Sequence, residues 1–570
     1  MLPIPIFTKA SLWAGLTACS VCAAAPQAFY TVTAEIALAR HQPRVAAVQY
    51  AAAAAEGSDT ALIERAAQVA AECLQPSLVQ SIAAHWAQVD PTSVEAQRAA
   101  AEADLALQRI DPAAVHFRFV IQHSPLGAEA EFAALQTYLA GNDNIFGARQ
   151  LADRLASWFP ASAAALRMRG FAALRADDPA AAVVSLTAAA KLPGVDAPDT
   201  PSAAKAPDVQ GAPTDADVRR EAAQTLARAR VMAGDVEGPL MEARERAERE
   251  DTPVNRLDYA MLLLTAQQSE AAIRELEKLA QDPQYAPVAQ RLIGVIEFEQ
   301  GHLKAATERF AALVRTDKFL NDAFYYLGLI ADRQEDPEHA LKLYAQVQGG
   351  ENSVPALLRA AAILEAHGAA PAGEDLLDRL IEGEPQRAPA IISARARIYA
   401  DGGQWPRAVG VLKQGINEYP DSVELRYALA SLDEDMGRIT EAVRELKRLV
   451  KARPDDPAAL NALGFTLADH SKQLARALRL IESAHAAAPK NAAILDSLGW
   501  VLFRRGRGAD AEVYLREAYT EDRGGDIAAH LGEVLWREGR RADALQIWAE
   551  AGALDGENRL LKDTRHRLEN

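Results

Sequence analysis

Three cysteines in 570 residues are too few for a disulfide framework. Two of them, Cys19 and Cys22, form a CxxC pair close to the N-terminus. No second CxxC and no nearby histidine complete a metal site. Aromatic residues make up only 6% of the chain, and the long Val/Ile alternation of a sheet protein is missing. Basic residues are scattered, and the formal net charge is −17. Both features argue against a phosphate-binding surface, and so against nucleic acid as a partner. The sequence has no Gly-rich phosphate loop, no G-x-S-x-G elbow and no H-E-x-x-H. Ser202 and Lys205 have the spacing of a Ser/Lys catalytic pair, but they lie in a Pro-rich stretch that could not hold them rigid or dry. The expectation is a protein that is not an enzyme, with no catalytic residue, metal or cofactor.

What is plentiful is alanine, within a hydrophobic share of 49%. Alanine is the strongest helix former, and its small side chain lets helices approach closely. The chain is too long for one compact core, which leaves several domains or a repeat array.

Residues 1–25, MLPIPIFTKASLWAGLTACSVCAAA, place one positive residue, Lys9, before a short apolar run. This is the form of a secretory signal, too short and interrupted to be a good membrane-spanning helix. Leu16-Thr17-Ala18-Cys19 resembles a bacterial lipobox, with Cys19 as the lipidated first residue. Ala23-Ala24-Ala25 resembles an ordinary cleavage site, and the two readings stand side by side. Ser20 after Cys19 goes with outer-membrane sorting. The expected location is periplasmic, held at the outer membrane only through the lipid.

The strongest signal is a period. Ala260, Gly294 and Gly328 lie 34 residues apart, and twelve residues after each stands Ala272, Ala306 or Ala340. Four further on come Leu276, Phe310 and Tyr344, then Leu279, Leu313 and Val347. The pattern matches the tetratricopeptide repeat, a pair of helices closed by proline. It continues through Ala408/Leu412/Pro420 and Ala442/Leu446/Pro454. Gly464 to Ala477 is one residue longer, and Gly499 and Gly532 open the last two units. The first half is more degenerate, in sets such as Ala34/Ala46/Tyr50 and Ala101/Ala113/Phe117. The reading is an all-α, right-handed superhelical solenoid of about fifteen helix pairs, with residues 60–90 and 217–250 the hardest to assign. A lone pair cannot bury its apolar face, so stacked pairs share one core. The expected organisation is a signal segment (1–25), an N-terminal array (26–190), a Pro/Ala-rich disordered insertion (191–216), a C-terminal array (217–557) and a capping helix (558–570).

Partners of such arrays bind along the first helix of each pair. Counting from the small residue of each unit gives Tyr427, Asn461, Phe465, Trp500, Phe503, Arg504, Glu533, Trp536 and Arg537 as candidates. Aromatic and Arg side chains are the usual anchors of interfaces. An Asn at the place of Asn461 resembles the backbone-clamping Asn of some peptide-binding members of the class.

LNALGFTLADHSKQLARALRLIESAHAAAPKNAAILDSLGWVLFRRGR (460–507) and FYTVTAEIALARHQPRVAAVQYAAAAA (29–55) resemble the closing and opening repeats of proteobacterial TPR lipoproteins. The nearest resemblance is to LbcA-like adaptors of carboxyl-terminal processing proteases. It implies a periplasmic protease and cell-wall hydrolase substrates as partners. A structural scaffold for a pilus, secretion or polysaccharide-export assembly is the alternative.

Overall fold

The computed structural model describes residues 25–192, 215–554 and 558–569, apart from His41, Glu56, Asp143, Ser471 and Lys472. Cys19, the rest of the signal segment up to residue 24, and all but the edges of 191–216 lie outside the described residues. Among the described residues there are 31 α-helices, one 3-10 turn at Pro385–Arg387 and no strand. None of these helices is long and apolar enough to cross a membrane. The contacts divide the chain into two units, one up to Ala222 and one from Ala223. In each, helices pack on their neighbours in sequence.

The helices make fifteen pairs and a final helix, Arg559–Glu569. The two stretches that were hard to assign are pairs as well: Thr60–Glu72 with Pro76–Val89, and Asp215–Met232 with Glu237–Arg249. In the former, Ala67, Val79, Ala83 and Trp86 are all buried. The large residue has moved from its usual place, where Ala83 stands, one turn along to Trp86, and this is why the pattern fades there.

Local chemistry starts the helices. Side chains of Ser93, Ser162, Ser422 and Asn491 accept the backbone N–H three residues on, at 3.0, 3.1, 3.3 and 3.1 Å, and so satisfy one donor that a helix start leaves open. Pro43, Pro179 and Pro337 open second helices, where a missing N–H costs nothing. The turn between the helices of a pair needs one residue with left-handed backbone. Gly301 and Gly437 supply it at φ 78° and 70°, whereas Gln267 and Glu335 hold the same place at φ 58°. Cβ makes that conformation costly for them.

The crossing within each pair is set by a small residue facing a large one sixteen positions later. A Cβ on Gly294 would come within 2.9 Å of the Phe310 ring, and one on Gly499 within 2.5 Å of Leu515. At Gly532 it would overlap Trp548, a fully buried indole whose Nε1 donates to the carbonyl of Ala528 at 3.1 Å. Gly464 meets Ile481 instead, seventeen positions on, because its turn carries the extra residue.

Two substitutions test this account. Glu335→Gly relieves the left-handed turn and raises stability by about 1 kcal/mol, read as a higher melting temperature. Gly532→Ala forces Trp548 from its place and costs about 1–3 kcal/mol in denaturant unfolding. A smaller residue at position 548 recovers part of that loss, and unchanged stability of Gly532→Ala would remove the steric basis of the crossing.

Candidate partner-binding surface

Four first helices carry the candidate residues: Val423–Asp435, Pro457–His470, Ala492–Arg504 and Gly525–Arg537. Relative to the small residue of each unit, Tyr427, Asn461 and Asp496 share one position, three before it. Phe465, Trp500 and Glu533 share the next, one after it. Asp469, Arg504 and Arg537 share a third, five after it. Equal positions in stacked repeats form rows along the array, so these residues meet their counterparts one repeat away.

The middle of this surface is a buried polar cluster. Both carboxylate oxygens of Asp496 lie 2.9 Å from Nδ1 of His530. The imidazole stacks on Trp500, with ring centroids 4.2 Å apart, and Phe465 flanks it at 5.9 Å. The Trp500 indole donates to Oδ1 of Asp469 at 3.1 Å. Arg504 donates to the Asp469 carbonyl at 2.8 Å and to its carboxylate at 3.2 Å. Three consecutive repeats are tied together through these groups. Burial works against a charge on His530, but Asp496 beside it, helped by Asp469 and Asp526, outweighs burial and raises the imidazole above its ordinary range.

Residues 399–464 match a sequence model described as "Tetratricopeptide repeat". These are tetratricopeptide repeats. The TPR repeat-containing protein PA4667 of Pseudomonas aeruginosa is 35% identical over 209 residues, which are 37% of this chain and 35% of that protein. The match thus spans about a third of the relative's length. Two solved structures align at low similarity. TTC0263, a thermophilic TPR protein of Thermus thermophilus, has 22% identity and a TM-score of 0.29, with 32% of this chain and 97% of that one covered. Yeast Tom70 has 11% identity and a TM-score of 0.34, with 95% of each chain covered. TPR arrays are scaffolds for protein–protein interaction, typically without catalysis of their own, and the fold assignment here rests on the helices and their period.

Several expected groove residues are occupied within the helical array itself. Trp500 and Glu533 are only 7% and 5% exposed, which corrects their reading as open contact residues. Trp500 is held by His530 and Asp469, and Glu533 accepts from Arg567 of the final helix at 2.9 Å. Arg504 also works inside the array. It caps the end of the preceding first helix through the Asp469 carbonyl, as Arg175 does at Asn142 (3.1 Å) and Arg333 at Phe298 (3.4 Å). Phe465, Phe503 and Trp536 remain half-buried, and Arg537 is exposed, 3.8 Å from Glu533. Trp536 stacks on Trp548 at 5.6 Å. The Nδ2 group of Asn461 lies 3.5 Å from the Ala493 carbonyl. Its Oδ1 and the hydroxyl of Tyr427 are enclosed without a hydrogen-bond partner. Burial pushes the Tyr427 phenol upward, with Asp456 adding to it.

Asp469, Asp496 and His530 were missed from the sequence. The available signal is that groups of opposite sign stand about one repeat apart, as in Asp469/Arg504, Asp496/His530 and Glu533/Arg567.

The Asp496–His530 pair has a pH signature. The pKa of His530 is higher folded than the unfolded value of about 6.5, so its contribution is complete below that pH and is lost as pH rises through the folded pKa. Melting of the C-terminal repeats therefore moves to lower temperature on the alkaline side. In Asp496→Asn this slope flattens. A slope equal to that of the unsubstituted protein would mean that the pair does not carry it.

Proposed function

We propose that the protein is an adaptor of the bacterial cell envelope. It holds a carboxyl-terminal processing protease and its cell-wall hydrolase substrates on the first-helix surface between residues 423 and 537, and lipid on Cys19 keeps it at the outer membrane. The reading rests on the resemblance of residues 460–507 to closing repeats of TPR lipoproteins. It is supported by one observation above all: successive repeats present half-exposed aromatics, Phe465, Phe503 and Trp536, along one stretch of first helices, with the exposed Arg537 beside them. Side chains of these types supply most of the energy of protein interfaces. An array that holds enzyme and substrate together raises their effective concentration without taking part in the chemistry.

The test is reconstitution with the full chain, a periplasmic carboxyl-terminal processing protease and a cell-wall hydrolase. The chain is expected to retain the protease and to speed hydrolase degradation. Phe503→Ala combined with Arg537→Glu weakens retention about ten-fold or more at unchanged helix content. Failure to retain the protease, with recovery of pilus, secretion or polysaccharide-export proteins from envelope extract, overturns the reading in favour of an assembly scaffold.

A further inference from the structure

The first helix pair, Ala25–Ala39 and Pro43–Ala54, is unlike the rest of the array in what it leaves uncovered. On the first helix Phe29, Val32 and Ile36 are 63%, 58% and 45% exposed, at the i, i+3, i+7 spacing of a single stripe. On the second, Val45 and Val48 are 51% and 53% exposed, with the exposed Ala52 continuing their line. Ala34, Ala37, Ala46, Ala47 and Tyr50 face the core, so each helix is apolar on both its faces. Among exposed large hydrophobics elsewhere, Val115, Val184 and Val513 stand singly, which is ordinary for a protein surface.

Charge distinguishes the same region. Arg40 and Arg44 stand against a single carboxylate, Glu35, between residues 25 and 55 of a chain whose net charge is −17. Glu35 is itself engaged, since it accepts a hydrogen bond from the Tyr50 hydroxyl. Arg40 ends the apolar stripe of the first helix on the exposed side.

We infer that this first helix pair docks in plane on an anionic lipid surface, its valines, Phe29 and Ile36 entering the headgroup boundary and Arg40 meeting lipid phosphates. Apolar stripes with a basic rim and no free acid are what such a surface selects. A second copy of the chain fits less well, because two equally positive faces would oppose each other. The contact needs no lipid on Cys19, so it stands or falls apart from the adaptor reading and from lipidation.

The test uses the full chain carrying Cys19→Ser, sedimented with phosphatidylethanolamine vesicles that contain or lack phosphatidylglycerol. Binding is expected with phosphatidylglycerol, to weaken with salt, and to fall about ten-fold or more in Phe29→Glu/Ile36→Glu, while Val513→Glu stays at the original level. Both substituted positions are exposed, so thermal melting should be preserved. Equal sedimentation of Phe29→Glu/Ile36→Glu overturns the inference and moves the binding to residues 1–24. Absence of vesicle binding overturns it too. In that case a dimer seen by analytical ultracentrifugation, and dissociated by the same substitutions, assigns the face to a second copy.

Discussion

Everything in this protein depends on how closely the two helices of a pair can cross. Where the first helix offers only a hydrogen or a methyl group, the second can place Phe310, Tyr344, Leu515 or Trp548 directly against its backbone. That contact fixes the angle of the pair, and the angle decides which remaining faces are left for the neighbouring repeats. A tightly packed interior has no room to absorb an added atom, so the small residue matters as much as the large one. The inserted residue between Gly464 and Ile481 makes the point: the turn lengthens, and the partner moves by one position to preserve the crossing.

Successive repeats are joined by a second kind of contact, polar and less regular. Arginines near the ends of first helices reach back to the open carbonyls of the previous first helix, as Arg175, Arg333 and Arg504 do. Carboxylates are held by arginines one repeat away, with Arg98 donating to both oxygens of Glu131 at 2.8 and 2.9 Å. Such groups are expensive to bury alone and acceptable when paired. They fix the register of one pair on the next, a task that interchangeable alanines and leucines perform poorly. The Asp496–His530–Trp500–Asp469 cluster is the densest example, and it lies within the helices proposed to receive a partner.

A row of first helices tied to one another by such contacts is well suited to that task. Side chains already held in place lose little freedom when a partner arrives, so more of the contact energy is realised as affinity. The array thus spends some aromatic and charged residues on its own stiffness and leaves their neighbours, Phe465, Phe503, Trp536 and Arg537, partly open. At the final helix the same economy closes the array, because Arg567 and Leu561 cover what Glu533 and Trp548 would otherwise expose.

The sequence by itself determined the helices, the period and a count of about fifteen pairs, outside the stretches 60–90 and 217–250, because crossing needs small and large residues at fixed separations, and separation is visible in one dimension. It also marked the first helices as the carriers of aromatic and Arg residues. Only the tertiary structure decided which of those residues face outward. Trp500 and Glu533 occupy the same repeat position as Phe465, yet they are buried and Phe465 is not. The difference comes from the adjacent repeat, where His530 offers a ring to stack on and Arg567 a guanidinium to pair with. A position in a repeat fixes the direction of a side chain, but its exposure depends on what the next repeat brings to meet it.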